Sequence, residues 1–517
     1  MKRNNVLFIT SDQQHYMAMG YLNPEVSTPN LDRLVNSGMT FHRAYTVNPT
    51  CTPTRASWIT GLYPSQHGAY SLGTKLMENV QTVGDCFQKD GYATALVGKA
   101  HFQPLLSTKE YPSLEAYPLL HDLDFWRGFN GPFYGFEHVE LARNHTEEYL
   151  VGQHYALWLT EKTSGTAWRN YFLPSPSHSP DFPGYPESTR KPLDPADGKW
   201  DIPESLHYNT WISERTNALM EHYAKAEQPF FLWASFFDPH PPYRIPEPYA
   251  SMYDPAKVTV PEFKEGEFDD KPPYFKIARE AHPDFSAYQE PGGNTIHGSG
   301  PHLASREDRA KKIATMYGMM TMLDKYIGKI LDQLDSLGLT ENTLVCYTTD
   351  HGDFLGQHGL TAKAIHHYED LLRVPLVVSL PGTIPAGKVS DSLQSTVDIP
   401  ETFLSFAGIP VPRTMAGIDE KTVWTGEKET IRNHVIVENQ HQPTTMNLRT
   451  YINARYKITV HFNKPYGELY DLQEDPGEYM NLWDKPAFQD LKCELLLAFL
   501  HGEMAKAPLP MPRIAGA

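Results

Sequence analysis

The stretch Val6-Leu7-Phe8-Ile9-Thr10-Ser11-Asp12-Gln13 decides the fold class, because a continuous, largely apolar run ends there in polar side chains. A short apolar run bounded by polar residues is typical of a strand that is buried on both faces of a sheet. Further runs of this kind occur at residues 93–97, 230–235, 344–347 and 374–379. The sequence therefore predicts a buried sheet with several such strands.

Helical patterns lie between these runs. Thr28-Pro29 begins one helix, residues 82–91 form a second, and residues 305–338 form the longest. Alternating strands and helices favour an α/β domain built on a largely parallel sheet. Long loops over the active edge of this sheet are expected at residues 102–228 and 241–304, which are rich in Pro, Tyr, Trp, His and Gly and show weak periodicity.

The sequence pattern changes after about residue 430. Short strands are predicted at residues 450–453, 456–461 and 469–471, and a final helix at 488–504. We therefore predict a catalytic domain over residues 1–430 and a small C-terminal α+β subdomain over residues 431–517, with an antiparallel sheet and a terminal helix.

Polar and charged side chains follow four of the predicted strands. They are Asp12 and Gln13, Lys99 and His101, Asp238 and His240, and Asp350 and His351. In sheets of this class, ligands bind beyond the carboxyl ends of the strands. Four such endings predict one common site.

Composition and charge exclude several classes of protein. The 517 residues contain 45 Lys+Arg and 62 Asp+Glu, a formal net charge of −17, so a protein that coats nucleic acid is not expected. No run reaches the ~18 apolar residues of a membrane span, and the N-terminal apolar run is too short for a signal peptide. Four cysteines form no disulfide framework. We therefore expect a cytoplasmic protein without a membrane anchor, in which the charge that binds an anionic substrate is local.

The stretch Cys51-Thr52-Pro53-Thr54-Arg55-Ala56-Ser57-Trp58-Ile59-Thr60-Gly61 carries the chemistry. Pro53 and the helix-forming residues after it place Cys51 at a helix N-terminus, in the positive end of the helix dipole. Arg55, four residues on, lies on the same helical face. Cys51 is therefore the candidate nucleophile, and the other cysteines are interpreted as structural.

The pattern Cys51-x-Pro53-x-Arg55 resembles the signature of the type I, formylglycine-dependent sulfatases of the alkaline phosphatase superfamily. Further blocks in the family's order extend the resemblance over nearly the whole chain. They are Asn5-Val6-Leu7-Phe8-Ile9, Asp12-Gln13, Thr28-Pro29-Asn30-Leu31-Asp32-Arg33-Leu34, Gly98-Lys99-Ala100-His101, Pro239-His240-Pro241-Pro242, Thr349-Asp350-His351-Gly352-Asp353, Lys363, Leu469-Tyr470-Asp471-Leu472 and Asp475-Pro476-Gly477-Glu478. The resemblance implies an alkaline-phosphatase-like fold, with a large, mostly parallel sheet between helices.

The resemblance also implies the reaction. A maturation enzyme oxidises Cys51 to formylglycine, whose aldehyde hydrates to a geminal diol. A divalent cation lowers the pKa of bound water far below that of free water, to about 7, and one diol oxygen is activated in the same way to attack sulfur. Deprotonation of the second hydroxyl then re-forms the aldehyde and expels sulfate, a step that serine cannot perform.

The metal ligands implied by the resemblance are Asp12, Gln13, Asp350, His351 and the oxygen at position 51. Mostly oxygen donors favour Ca²⁺, with Mg²⁺ or Mn²⁺ as alternatives. Many sulfatases carry a second Asp in place of Gln13 and an Asn in place of His351. The Gln/His pair also occurs in the phosphonate monoester hydrolases, a sister family with the same nucleophile.

The remaining roles fall on basic residues. Arg55 and Lys99 are expected to hold the formylglycine and sulfate oxygens, and Lys363 to bind sulfate and the leaving side. His101 would position or deprotonate the diol, and His240 would donate a proton to the departing alcohol. Histidines for which we expect no catalytic role are His15, His67, His358, His366 and His367.

Three functions remain open at this point. A sulfatase acting on aryl or carbohydrate sulfates is favoured, because Lys99 and His101 resemble the family's sulfate clamp. Gln13 and His351 favour a phosphonate monoester or phosphodiester hydrolase, and promiscuity between these esters is expected. A catalytically silent, anion-binding protein is the third option, if Cys51 is never modified. The sequence identifies neither the natural substrate nor the oligomeric state, for which a homo-oligomer stays an alternative.

Overall fold

The computed structural model describes residues 3–143, 146–174, 198–293, 296, 301–363 and 365–516. Within them the strands are β1 (Asn5–Ser11), β2 (Met39–Tyr45), β3 (Ala93–Gly98), β4 (His138–Leu141), β5 (Gly198–Lys199), β6 (Phe230–Ser235), β7 (Arg244–Ile245), β8 (Thr343–Thr349), β9 (Phe354–Leu355), β10 (Thr361–Ala362), β11 (Arg373–Ser379), β12 (Lys388–Ser390), β13 (Gln394–Ser395), β14 (Val435–Gln442), β15 (Met446–Ile452), β16 (Tyr456–His461) and β17 (Gly467–Asp471). The helices of the same residues are α1 (Pro29–Ser37), α2 (Cys51–Thr60), α3 (Pro64–His67), α4 (Val83–Lys89), α5 (Leu123–Gly128), α6 (Gln153–Lys162), α7 (Tyr208–Lys225), α8 (Pro273–Ile277), α9 (Arg306–Ser336), α10 (Glu369–Leu372), α11 (Ile399–Ala407), α12 (Lys421–Trp424) and α13 (Gln489–Ala505).

The large sheet has the strand order β12-β2-β11-β8-β1-β6-β3-β4, with β13 also paired to β2. Its strands β4, β3, β6, β1 and β8 are parallel, and β11 is antiparallel to both of its neighbours. The predicted α/β fold with a mostly parallel sheet is thus confirmed, and the sheet is mixed at β11. Because β1 lies between β6 and β8, the polar residues that follow these three strands meet at one edge.

Both faces of β1 are buried, which explains its uninterrupted apolar sequence. Successive side chains of a strand point to opposite faces. Leu7 and Ile9 pack into the core formed with α1, α6, α7 and α9. Val6 and Phe8 pack into the core formed with α2, α4 and α11. The helices therefore cover the sheet on both sides and leave its carboxyl edge for the site.

The prediction of long loops over residues 102–228 was wrong in part. This range contains β4, which pairs in parallel with β3, and the helices α5, α6 and α7. Helix α7 escaped recognition because polar residues such as Asn209 and Thr216 are buried together with Trp211 and Ile212, which removes the alternation of a polar and an apolar face. Residues 175–197 lie outside the described residues.

The C-terminal strands β14 to β17 form an antiparallel sheet, and α13 packs against it through Leu495 and Phe499. The predicted antiparallel sheet and terminal helix are confirmed. Strand β14 was missed, and β15 begins four residues before its predicted start at 450. The domain boundary at residue 430 stays a prediction. Among the described residues, no helix has the length and apolar character needed to cross a membrane.

Glu401, in α11, is a buried carboxyl group whose ionisation the fold disfavours. Burial, with Asp398 nearby, raises the pKa of Glu401 well above its ordinary value of 4.5. Its Oε1 accepts a hydrogen bond from the Gly417 N–H at 2.8 Å. Its Oε2 has no hydrogen-bond partner among the described residues. The native state therefore favours the protonated carboxyl, which the unfolded chain ionises more readily.

We expect Glu401→Gln to flatten the pH dependence of the free energy of unfolding above pH 4.5. A raised native pKa stabilises the fold fully below the unfolded pKa, and this contribution is lost as the pH rises towards the native pKa, by up to about 1.4 kcal/mol per pH unit. Glutamine cannot ionise, so the variant should match the wild type near pH 4 and exceed its stability near pH 8. Urea denaturation at both pH values measures the difference. If the free energy of unfolding fell by the same amount in both proteins between these pH values, Glu401 would not be protonated in the native state.

Candidate active site

Cys51 is the first residue of α2 and lies at the carboxyl edge of the sheet. Its side chain is 1% exposed. The Sγ atom is 3.0 Å from Lys363 Nζ, 3.3 Å from His351 Nε2, and 3.8 Å from both Asp12 Oδ1 and Lys99 Nζ. Burial and Asp12 raise the pKa of the thiol, but Lys363 and Lys99 outweigh them and leave the pKa below its usual value. The surroundings therefore stabilise negative charge at this atom.

Arg55 is fully buried beneath Cys51 and joins two carboxylates. Its Nε donates to Asp350 Oδ2 at 2.8 Å and its Nη2 to Asp12 Oδ2 at 3.0 Å. The Nη1 group donates to Ser235 Oγ at 2.8 Å and to the Lys99 carbonyl at 3.0 Å. The guanidinium thus binds Asp12 and Asp350, which are proposed metal ligands. The sequence led us to expect that it would hold the formylglycine and sulfate oxygens.

The side chains of Asp12, Cys51, Asp350 and His351 each offer one ligand atom, and these atoms lie within 4.8 Å of one another. Lys99 Nζ, 2.5 Å from Asp12 Oδ2, and Arg55 hold the pKa of Asp12 well below its ordinary value, although burial raises it. Asp12 is therefore ionised. A buried set of carboxylate oxygens with one imidazole nitrogen fits a divalent cation.

Gln13 follows Asp12, its N–H donates to Asp350 Oδ1 at 3.0 Å, and its side chain offers a further oxygen. Its Nε2 donates to Asp353 Oδ1 at 3.0 Å, and Asp353 Oδ2 also accepts a hydrogen bond from the Tyr243 hydroxyl. Gln13 Oε1 is buried and has no hydrogen-bond partner in the described part of the chain. Because an unsatisfied buried oxygen is costly, this atom fits a metal ligand. Asp353 would then orient the amide, as outer-shell partners do.

His351 and His240 are each oriented by a main-chain carbonyl. His351 Nδ1 lies 2.9 Å from the Gly352 carbonyl, which leaves Nε2 directed at Cys51. His240 Nδ1 lies 2.6 Å from the Pro241 carbonyl, and its Nε2 is 3.1 Å from Lys363 Nζ. Lys363 therefore bridges His240 and Cys51.

His101 follows β3 with a positive φ of 60°. Burial, Arg143 and Lys99 hold the pKa of His101 well below its ordinary value, so the ring is neutral. Its Nδ1 is buried without a hydrogen-bond partner among the described residues. These surroundings disfavour a protonated ring and leave one ring nitrogen open to a hydrogen bond with a bound group.

The structure brings the ten predicted site residues to one edge of the sheet, and it adds residues that sequence reasoning missed. Arg143 follows β4 and forms a buried 2.8 Å ion pair with Glu115, whose Oε1 accepts the Phe102 N–H at 2.9 Å. Arg143 could have been found if β4 had been recognised, since its strand ends at the same edge. Glu115 carries no sequence signal.

The five histidines for which no catalytic role was expected each contact a side chain outside the ten predicted site residues. His15 Nε2 pairs with Asp370 Oδ1 at 2.9 Å, and the His358 ring stacks on Tyr368 at 3.9 Å. His366 packs against the ring of Phe275 at 4.6 Å. The remaining two contact hydroxyl groups, with His67 Nε2 3.1 Å from Ser57 Oγ and His367 Nδ1 2.7 Å from Thr450 Oγ1.

Comparison with known proteins agrees with this geometry. The family model described as Sulfatase matches residues 4–409, and that of the C-terminal part of N-sulphoglucosamine sulphohydrolase matches residues 356–503. The chain is 26% identical to the "Uncharacterized sulfatase YidJ" of Escherichia coli, over 97% of this chain and 87% of that protein. It is also 26% identical to an arylsulfatase of Clostridium perfringens, over 96% of this chain and 94% of that protein.

A solved structure shows the same fold. The phosphonate monoester hydrolase SpPMH of Silicibacter pomeroyi superimposes with a TM-score of 0.77 at 22% identity, covering 98% of this chain and 96% of that chain. The predicted alkaline-phosphatase-like architecture is therefore confirmed. With a family match that spans most of its length, the chain belongs to the sulfatase family of the alkaline phosphatase superfamily.

Proposed function

We propose that this sulfatase hydrolyses aryl or carbohydrate sulfate monoesters with residue 51, converted from cysteine to formylglycine, as its nucleophile. The observation that carries the proposal is the position of Cys51 Sγ, which lies within 3.8 Å of two ammonium groups and two proposed metal ligands. Preorganised charge of this kind is usually the largest contribution to catalysis of anion transfer.

The proposed metal ligands are Asp12, Gln13, Asp350, His351 and an oxygen on residue 51. Ca²⁺ is the proposed ion, with Mg²⁺ or Mn²⁺ as alternatives, because most of the donors are hard oxygen atoms. When bound, the cation acidifies the hydroxyl of the formylglycine hydrate. Arg55 would hold Asp12 and Asp350 in place through its hydrogen bonds to both carboxylates.

The basic residues perform the other steps. Lys99 and Lys363 bind the sulfate oxygens, because both ammonium groups lie beside position 51. Neutral His101 accepts a proton during the release of sulfate. His240 donates a proton to the leaving alcohol from Nε2, which lies 3.1 Å from the Lys363 ammonium.

His240→Ala should therefore reduce turnover most for substrates with poor leaving groups. A nitrophenolate leaves without protonation, whereas an alkoxide or an unsubstituted phenolate needs the proton. General acid catalysis contributes about 10²–10⁴-fold, so kcat/KM for phenyl sulfate should fall by that amount and far less for nitrophenyl sulfate. Steady-state kinetics on both esters tests this, and an equal loss on the two would exclude His240 as the proton donor.

A phosphonate monoester or phosphodiester hydrolase is the second candidate. Gln13 and His351, the pair that distinguishes this site from many sulfatases, favour it. Comparing kcat/KM for an aryl sulfate, a phenyl phosphonate and a phosphate diester ranks the two candidates. A large preference for phosphonate would overturn the proposed sulfatase activity.

The silent, anion-binding alternative depends on whether Cys51 is modified. Peptide mass spectrometry around residue 51 distinguishes the thiol from the aldehyde, and metal analysis of the same sample identifies the ion. Unmodified Cys51 in protein produced with an active maturation enzyme would support the silent alternative. The maturation enzyme, the cytoplasmic location and a homo-oligomeric state stay predictions.

A further inference from the structure

Asp238 is a buried carboxylate that the mechanism above does not use. It follows β6 and its side chain is 0% exposed. Asn209 Nδ2 donates to its Oδ2 at 2.6 Å, and the Tyr208 hydroxyl donates to its Oδ1. Tyr208 and Asn209 are the first two residues of α7. The carboxylate therefore ties the segment after β6 to the N-terminal turn of a long helix.

We call the hydrogen bonds from Tyr208 and Asn209 to Asp238 the clamp. It lies between two parts of the active site, the residue Asp12 and the residue His240. The Asp238 carbonyl accepts the Asp12 N–H at 3.2 Å, which joins the ends of β6 and β1. The His240 N–H donates to the Phe237 carbonyl at 2.9 Å. The Tyr208 ring packs edge-on against Phe237 with 5.3 Å between centroids. Phe237 and Asp238 are thus held by the start of α7, and His240 is linked to them through the Phe237 carbonyl.

We propose that Asp238 is a positioning residue, which clamps the segment 237–240 to α7 and so keeps His240 Nε2 beside Lys363. The inference rests on the proposed role of His240 as proton donor. Functional side chains must be held within about 0.5 Å of productive geometry by partners that are themselves fixed. His240 is only partly buried, whereas Asp238, two residues before it, is fully buried and hydrogen-bonded to two residues of α7. A buried anchor this close in the chain limits how far the His240 backbone can move.

Asp238→Ala tests the proposal, because it leaves the His240 ring present but removes the anchor. We expect kcat/KM for phenyl sulfate to fall at least about tenfold more than for nitrophenyl sulfate, the pattern expected of His240→Ala. In the double variant Asp238→Ala/His240→Ala, the loss should show no more leaving-group dependence than in His240→Ala alone. The effect should lie in kcat, because the ligands of the sulfate oxygens are unchanged.

Asp324 provides a matched control. It is 1% exposed, and its carboxylate accepts the Leu31 N–H at 2.7 Å and Asn30 Nδ2 at 2.8 Å, at the start of α1. Asp324→Ala should lower the thermal unfolding midpoint and leave the ratio of the two kcat/KM values unchanged. If either alanine variant fails to fold, Asp238→Asn and Asp324→Asn are compared instead.

The outcomes separate the two proposals. A uniform loss on both esters in Asp238→Ala, with a leaving-group-dependent loss in His240→Ala, would overturn the positioning role alone. A uniform loss in His240→Ala would overturn the proton-donor role, and the role of Asp238 with it. If Asp324→Ala shows the same leaving-group dependence as Asp238→Ala, the effect is general destabilisation and the positioning role is excluded. Should the wild type prefer phosphonates, aryl phosphonates with the same two leaving groups replace the sulfates.

Discussion

Replacing Cys51 by alanine is expected to abolish turnover and to leave the fold intact. Removing a catalytic nucleophile lowers kcat by about 10⁴- to 10⁶-fold, because the remaining charges have no group to act through. The thiol contacts lysine, histidine and aspartate side chains, so its removal costs little apolar packing. Steady-state kinetics and circular dichroism of Cys51→Ala measure the two effects.

Cys346 is the matched control for this variant. It is 0% exposed, lies in β8 opposite Phe8 of β1, and belongs to the core that also contains residues of α11. Cys346→Ala should lower the free energy of unfolding by about 1–2 kcal/mol and retain activity. If Cys51→Ala kept appreciable activity, or if the two variants behaved alike, residue 51 would not be the nucleophile.

Replacing Arg55 by alanine is expected to have the largest effect on stability. Arg55, Asp12 and Asp350 are all 0% exposed, and the guanidinium lies 2.8–3.0 Å from both carboxylates. The variant would therefore leave two buried carboxylates without their cationic partner. Removing one member of a buried ion pair costs about 3–5 kcal/mol. We expect a loss of this size in the free energy of unfolding, measured by chemical denaturation. Calorimetric titration should also show weaker binding of the divalent cation, because Asp12 and Asp350 lose their spacing.

Arg455 is the control for Arg55, since it also binds a carboxylate through more than one nitrogen. Its Nε and Nη2 donate to Asp471 at 2.9 Å and 2.6 Å, but the side chain is 42% exposed. Exposed ion pairs contribute little to the free energy of unfolding, so Arg455→Ala should be nearly neutral. If Arg55→Ala and Arg455→Ala lowered the free energy of unfolding by similar amounts, burial would not determine how much the ion pairs of Arg55 contribute to stability.

Much of the site could be predicted because α/β topology converts positions along the chain into positions in space. Asp12, Lys99, His240 and Asp350 each follow a strand, and parallel neighbouring strands end at the same edge. Arg143 escaped prediction because its strand, β4, lies in a range of weak periodicity. This strand has only four residues, and Glu140 is buried beside Val139 and Leu141, so no apolar run marks it in the sequence.

By itself, the sequence determined the α/β class, the candidate nucleophile at position 51 and the edge of the sheet where the candidate site forms. These depend on local patterns: apolar runs of strand length, helix caps and a cysteine at a helix start. Only the tertiary structure decided which partner each charged group has. Arg55 binds Asp12 and Asp350, and Lys363 Nζ reaches Sγ of Cys51, 312 residues away in the chain, at 3.0 Å. The physical reason is that a long cationic side chain takes the partner that the fold buries beside it, and no spacing along the chain encodes that choice.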